Sequence, residues 1–409
     1  MKPKTILRHL VTRIRSVADA FADNRQGPNL RYTLADAVLS AFACFFLQSP
    51  SFLAFQRRMQ DAQSRSNCQT LFGMQGIPSD GQIRNLLDRL VPDSFQTLFL
   101  DLLDTLRSKG DFSPFVRLGD RMLVALDGIE FHSSPKIHCQ QCSSRRTGKD
   151  KRPWFFHTML AAVVVAPGHN RVLPLMPEFV RTQDDPGDKR SVQRRKQDCE
   201  INAAKRWLTK WGARMARYRP VYLGDALYAT HPFCQHVLGA DADFLFVVKP
   251  KSHATLFDNL HERYIQSTRW LRVRNKKTRR YEEHRYRWMS DLPIRNTDDA
   301  VLGTWVEKTV RVRQNNGAYK RTFYTTLFTS LTVTKNNVQE VARCGRARWK
   351  IENECFNCIA RHGQNFKHNF AQVRHFATRT VYVDIFLAYN KQDVLLPSWH
   401  YFSSIPHLP

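Results

Sequence analysis

The segment Arg121-Met-Leu-Val-Ala-Leu-Asp-Gly-Ile-Glu-Phe131 decides how this chain is read. Five apolar residues in succession, Met122 to Leu126, have the character of a strand buried on both faces, as in a sheet covered by helices. The run ends in Asp127 followed by Gly128. A carboxylate at the end of a buried strand costs desolvation unless it is paired or coordinates a metal, so Asp127 is a candidate site residue.

Downstream, Phe155 to Val165 (FFHTMLAAVVV) and Val172 to Phe179 read as second and third strands. A polar stretch (181–195) precedes a long helix from Gln197 to Arg217. Val221 to Leu223 makes a fourth strand, Pro232 to Leu238 a helix, and Phe244 to Val248 a fifth strand. Three strands near enough for an antiparallel meander, followed by strands joined through helical crossovers, form a ribonuclease-H-like order. The fold class expected is therefore α/β, a mixed sheet with helices.

Upstream, residues 1–112 show helical spacing and no period-two strand: Thr33 to Phe55, the segment GQIRNLLDRL capped by Pro78-Ser79-Asp80, and Asp93 to Leu106. This predicts an all-helical N-terminal domain, either a DNA-binding unit or a packing and dimerisation bundle. Beyond the core, Arg269 to Arg287 carries nine basic residues against two glutamates, interleaved with Trp270, Tyr281 and Tyr286. It reads as a solvated hairpin or a DNA contact. Strands are expected at Thr309 to Arg313 and Thr322 to Thr332, and a helix opening near Asn336 should carry Arg346 to Arg361. The divisions expected are 1–112, 113–249, a β-rich basic insertion at 250–335, 336–370, and an atypical tail at 371–409.

Of 409 residues, 63 are Lys or Arg and 36 Asp or Glu, a formal net charge of +27 that implies a polyanionic partner. With 42% hydrophobic residues, disorder of the whole chain is excluded. The longest apolar run, Ala37 to Leu47, is shorter than the roughly 20 residues a bilayer requires. The basic N-terminus lacks the apolar core of a secretion signal, so a cytoplasmic location and no membrane contact are expected. Nine cysteines, an odd number at irregular spacing, argue for reduced thiols or a metal site over a disulfide framework. No P-loop or GxGxxG sequence supports nucleotide-dependent chemistry.

Asp225 ends the fourth strand in VYLGDALY. In the expected sheet the first and fourth strands are neighbours, so Asp127 and Asp225 can meet. A third carboxylate should face them from a helix, and Arg348-Trp-Lys-Ile-Glu352 supplies Glu352. Alone, Glu352 would be an ordinary surface glutamate balancing Arg348 and Lys350. Three such carboxylates can hold two divalent cations about 4 Å apart for in-line displacement at phosphorus. Oxygen ligation favours Mg²⁺ or Mn²⁺ over zinc.

The segments LDGIEFHSSPKIHCQQC, VLPLMPEF, KQDCEINAAKRWL, LGDALYATHPF, VVKPKSH and GRARWKIENECFN, in this order, resemble those of DDE transposases of bacterial insertion sequences. The resemblance runs from roughly Leu30 to Phe370. It implies a ribonuclease-H-like catalytic core with Asp127, Asp225 and Glu352 as a Mg²⁺-binding triad, a largely β insertion between the second and third members, and Arg348 on a DNA phosphate near the cleavage point. The activity implied is hydrolysis at the terminal inverted repeats of an element and strand transfer to target DNA, with a homodimer as the DNA-bound form. The alternative is a catalytically silent DNA-binding relative, and a third option is a metal-dependent nuclease without strand transfer.

The chain departs from the pattern in two places. Gly345 stands where related proteins carry a tyrosine three residues before the arginine. The lysine expected on the helix after the glutamate is replaced by Ile359 or Ala360, with Arg361 as a substitute. After Phe370 the expected apolar helix gives way to a different sequence, through a shift of reading frame or plain divergence.

Other residues divide between a site and a plain role. Glu354 rivals Glu352, but two residues on along a helix it points elsewhere. Lys196, Asp198 and Glu200 in KQDCE are either supports for the site or charges at a helix start. Lys249 and Lys350 are candidate DNA contacts. Cys139 and Cys142 could hold a structural zinc with His138, His157 or Cys199. Cys355, Cys358 and His362 read as packing on one helix face.

Overall fold

The run at 122–126 becomes the centre of a long strand, β2 (Arg121–Ser134), in a computed structural model that describes residues 3–26, 30–61, 68–138, 142–181, 198–275, 278–361 and 366. β2 pairs antiparallel with β4 (Arg152–Val165) along nearly its whole length, from Leu123↔Val165 to Ser134↔Phe155. On its other side it pairs in parallel with β7 (Pro220–Gly224), from Met122↔Pro220 to Ala125↔Leu223 only. β8 (Asp243–Val247) continues the parallel set beside β7. The third expected strand is reduced to two short pieces on β4, β5 (Leu173–Pro174) and β6 (Glu178–Phe179). Prolines at 174 and 177 account for this, since each lacks the N–H that a continued ladder would use.

Seven further segments extend this sheet. A short β1 (Val116–Arg117) pairs with β2, and β3 (Ser143–Thr147) edges β4. The region expected as an insertion supplies β9 (Gln266–Ser267), β10 (Leu271–Arg274), β11 (Tyr281–Pro293), β12 (Leu302–Arg313) and β13 (Tyr319–Thr329). β13 pairs antiparallel with β8, so these strands are continuous with the central ones in a 13-stranded mixed sheet ordered β10-β11-β12-β13-β8-β7-β2-β4-β3 along its main path.

Helices cover the sheet because their apolar residues recur at helical spacing. In a helix from Glu200 to Met215, here α6, the residues Ala203, Ala204, Trp207, Leu208, Trp211 and Met215 are buried, one stripe at intervals of three and four. Trp207 also donates its indole N–H to the Met176 carbonyl at 2.7 Å, so a large buried side chain leaves no polar atom unpaired. α7 (His231–Leu238) joins β7 to β8, and α8 (Ala254–Asp258) precedes β9.

Between residues 3 and 108 every described regular element is helical: α1 (Pro3–Asp19), α2 (Leu34–Phe46), α3 (Phe52–Met59), α4 (Asp80–Leu87) and α5 (Thr97–Ser108), with a 3₁₀ turn at Pro92–Phe95. The single helix expected over Thr33 to Phe55 is two. Gln48 turns to φ +55°, Pro50 follows, and the Ser51 hydroxyl accepts from the Ala54 N–H at 3.1 Å to cap the new helix. This layer is fastened to the sheet layer by Lys210–Asp93 (2.6 Å), Arg217–Asp104 (2.6 Å) and the Gln96 amide donating to the Pro177 carbonyl (3.1 Å). No helix among the described residues is long and apolar enough to cross a membrane.

Candidate active site

Asp127 lies within β2, not at its end as the apolar run suggested. What ends there is the neighbour. β7 stops at Gly224 while β2 continues to Ser134 against β4, leaving a notch on the β7 side of β2. Ala125 faces Leu223 in the parallel register, and Asp127 and Asp225 each follow that pair by two residues. With side chains alternating along a strand, equal offsets put both carboxylates at one level of the notch. Asp225 is held by the Leu227 N–H donating to Oδ1 at 2.8 Å, and Asp127 Oδ1 accepts from the Gly128 N–H at 3.0 Å.

Glu352 arrives from a chain segment that is not the regular helix expected. α9 (Val338–Arg346) tightens into a 3₁₀ turn at Ala347–Trp349, widens into a π turn at Ile351–Phe356, and resumes as α10 (Asn357–Arg361). The buried Ile351 and Cys355 anchor this segment. π turns inside helices recur at functional sites because they re-aim side chains without ending the helix. Arg348 Nη1 lies 3.0 Å from Glu352 Oε1 and 3.6 Å from Asp127 Oδ2, so one nitrogen ties the helix carboxylate to the strand carboxylate.

A fourth carboxylate shares the notch. Glu200, in the first turn of α6, packs against Gly128 and accepts at Oε1 from the Tyr228 hydroxyl. Burial raises the Asp127 carboxyl to about 7, with Glu200 adding to the effect, Arg348 opposing it, and Glu352 and Asp225 contributing further. Burial likewise raises Glu200, partly offset by the Tyr228 hydroxyl and reinforced by Asp225. Tyr228, itself buried beside this carboxylate, is raised well above the ordinary phenol range. Four carboxylates facing one arginine make a locus of excess negative charge partly withdrawn from water.

The donor set of Asp127, Asp225 and Glu352 is oxygen only and suits a hard divalent cation. Yet no three His, Cys, Asp or Glu side chains among the described residues are grouped closely enough to hold a metal ion. The Arg348 guanidinium engages both Asp127 and Glu352, and a cation entering the notch would compete with it for the same two groups.

The remaining candidates fall elsewhere. Asp198 is buried and accepts from Arg206 (2.8 Å) and the Arg181 N–H (2.9 Å); burial works against its ionisation, but these partners prevail and hold it below the usual carboxylate range. Lys249 is exposed, and its carbonyl accepts from the N–H groups of Ser252 and His253 in the turn after β8. Lys350 is half-buried and Trp349 beside it is exposed. Lys196, Cys139, His362, the side chain of Arg361 and the tail at 371–409 lie outside the described residues.

Of the zinc candidates, Cys142 Sγ lies 3.2 Å from His157 Nε2, the His138 ring stacks on Phe155, and Cys199 stands at the start of α6. Cys355 is buried and the Cys358 thiol meets the Asn353 carbonyl at 3.7 Å, both as packing residues. Three of the nine basic residues in the stretch 269–287 are engaged with neighbouring side chains. Arg285 and Arg311 both lie over the Trp270 ring, Arg272 over Tyr281, and Arg287 pairs with Glu262.

Tyr228 was not singled out in the sequence, and Glu200 was weighed only as a support or a helix-start charge. The signal for both was the spacing: a glycine directly after Asp127, and a tyrosine three residues after Asp225. Comparison of the chain with protein-family models and with curated proteins finds no match.

Proposed function

We propose that this protein is a DDE transposase with a ribonuclease-H-like core, acting in the cytoplasm on nucleoid DNA. It binds the terminal inverted repeats of its element as a homodimer, hydrolyses phosphodiester bonds there, and joins the freed 3′-hydroxyl to target DNA. The observation that carries this reading is the equal offset of Asp127 and Asp225 from the paired residues Ala125 and Leu223, with Glu352 tied to Asp127 through Arg348. Residues Asp127, Asp225 and Glu352 would hold Mg²⁺ or Mn²⁺, which supplies Lewis-acid activation of the attacking oxygen and stabilises the leaving one. Arg348 carries a guanidinium suited to a phosphate oxygen once released from the carboxylates. Tyr228 fixes Glu200 against Gly128, which keeps a second carboxyl, raised by burial, beside Asp127. Lys249, Lys350 and Arg361 are assigned to the DNA path, and a structural zinc at Cys139 and Cys142 is a subsidiary proposal.

The second reading, a catalytically silent DNA-binding relative, draws support from Arg348, which already engages two of the carboxylates that a cation would need. Incubation of the full-length protein with a labelled duplex carrying the element ends, with Mg²⁺ or Mn²⁺ and beside Asp225→Asn, separates the two. Metal-dependent cuts at the element boundary that vanish in the variant are expected. Specific binding without cutting would establish the silent reading, and cutting by Asp225→Asn would overturn the triad.

A further inference from the structure

Lys308 is a lysine in a core position. It sits on β12 in phase with Val306 and Val310, both buried, and is itself only 7% exposed. Its ammonium makes no hydrogen bond or ion pair among the described residues, and its near neighbours are the rings of Tyr286 (5.6 Å) and Phe323 (5.7 Å). The same face of the sheet is covered by α9, whose exposed Arg343 and Arg346 add two more cations; the Arg346 guanidinium lies over Phe323 at 4.6 Å. Glu282 is the carboxylate that acts on this lysine, and it already accepts from Asn275 (2.6 Å) and His284 (3.1 Å). Burial lowers the Lys308 ammonium to about 8, and Arg346 and Arg343 push it the same way. Three cations gathered against one engaged carboxylate cost stability in the free protein, and an anion between them would offset that cost.

We propose that Lys308, Arg343 and Arg346 form a phosphate-binding site. A phosphodiester is the group that matches: its oxygens accept from an ammonium and from planar guanidinium forks together, and its single negative charge halves the excess positive charge of the cluster. Its source is the backbone of bound DNA, an assignment that rests on the function proposed above. Arg346 precedes Arg348 by two residues, and Arg348 touches Asp127 and Glu352. A strand running along 343–352 would pass from the Lys308 site to the carboxylate notch, and this site would hold the strand in register while the notch acts on it.

The test is fluorescence anisotropy of a labelled duplex against salt concentration, for the full-length protein, Lys308→Met and Arg346→Gln. Lys308→Met keeps the shape of a buried side chain, and Arg346→Gln is an exposed change that spares folding. The expected result is a loss of about tenfold in affinity for each variant and a fall of about 0.9 in the slope of log affinity on log salt, the value of one phosphate contact. Unchanged affinity and slope in both variants would overturn the site. A parallel thermal melt in inorganic phosphate, against chloride at equal ionic strength, separates the sources. Phosphate stabilisation of the parent that is lost in Lys308→Met supports the anion site even if no duplex binds, in which case the functional proposal fails alone. Neither duplex binding nor phosphate stabilisation would overturn both.

Discussion

Gly128 and Glu200 meet at a contact that only a residue without a side chain permits: a Cβ at position 128 would lie 2.8 Å from the Glu200 carboxyl carbon and closer still to Oε2. The glycine after Asp127 thus makes room for the fourth carboxylate of the notch. Gly128→Ala should therefore displace Glu200 from the Tyr228 hydroxyl and cost about 1–3 kcal/mol of stability, the range of overpacking changes. Denaturant unfolding measures it, and a variant as stable as the parent would show that Glu200 moves freely.

Asp127 should make stability depend on pH in a direction opposite to most aspartates. Its folded-state value, raised to about 7, lies above the roughly 3.9 of an unfolded chain. The folded state therefore binds the proton more tightly, and the stability this contributes is fully present below about pH 4 and lost as pH rises through about 7. Asp127→Asn should stabilise the protein near pH 8, on the order of 2 kcal/mol, and have no effect near pH 4. Equal unfolding midpoints for parent and variant at both pH values would contradict it.

Tyr228→Phe removes the hydroxyl that donates to Glu200 and lowers its carboxyl. Without that donor the Glu200 carboxyl rises further, so the acid limb of the pH–rate profile for DNA cleavage should move to higher pH. A profile that keeps its shape and position would remove Glu200 from the reaction.

Arg348→Gln frees Asp127 and Glu352 from their shared guanidinium. Divalent-cation affinity, read by calorimetry with Mn²⁺, should rise by about threefold to tenfold, while affinity for duplex DNA falls. These opposite signs are the signature of a side chain that exchanges carboxylates for phosphate. Weaker Mn²⁺ binding would mean that Arg348 organises the carboxylates and does not compete with the cation.

Gly345 fills a position where the fold leaves no room for a side chain. A Cβ there would sit 2.5 Å from Leu327 Cδ1, because α9 crosses β13 at this residue. Gly345→Tyr, which introduces the residue that the proposed transposase pattern has at this position, should destabilise the chain by more than about 2 kcal/mol, and a thermal melt measures it. A stable variant would show that α9 can lift from the sheet.

Much of the site was legible because chemistry and spacing coincided. The apolar runs at 122–126, 221–223 and 244–248 are the three parallel strands, and the aspartates that close two of them are the residues brought to one level. Glu352 and Arg348, four residues apart, pair as a helical spacing predicts. Three features were not legible. The π turn depends on how Ile351 and Cys355 seat against neighbouring elements, which no local pattern records. Glu200 reads as a helix-start acid because its partners, Gly128 and Tyr228, are distant in sequence. Lys308 lies just outside the strand expected at Thr309 to Arg313, so its phase with Val306 and Val310 shows only in the longer strand that forms.

The sequence by itself determined which residues carry charge or apolar surface and the period at which each segment would bury them, since propensity and amphipathic phase are local properties. Tertiary structure alone decided that β7 stops short beside β2 to open a notch, that Arg348 engages both Asp127 and Glu352, and that Lys308 is largely buried between the Tyr286 and Phe323 rings. The physical reason is that desolvation and charge–charge energies depend on distances between segments, and register and packing set those distances only once the sheet has formed.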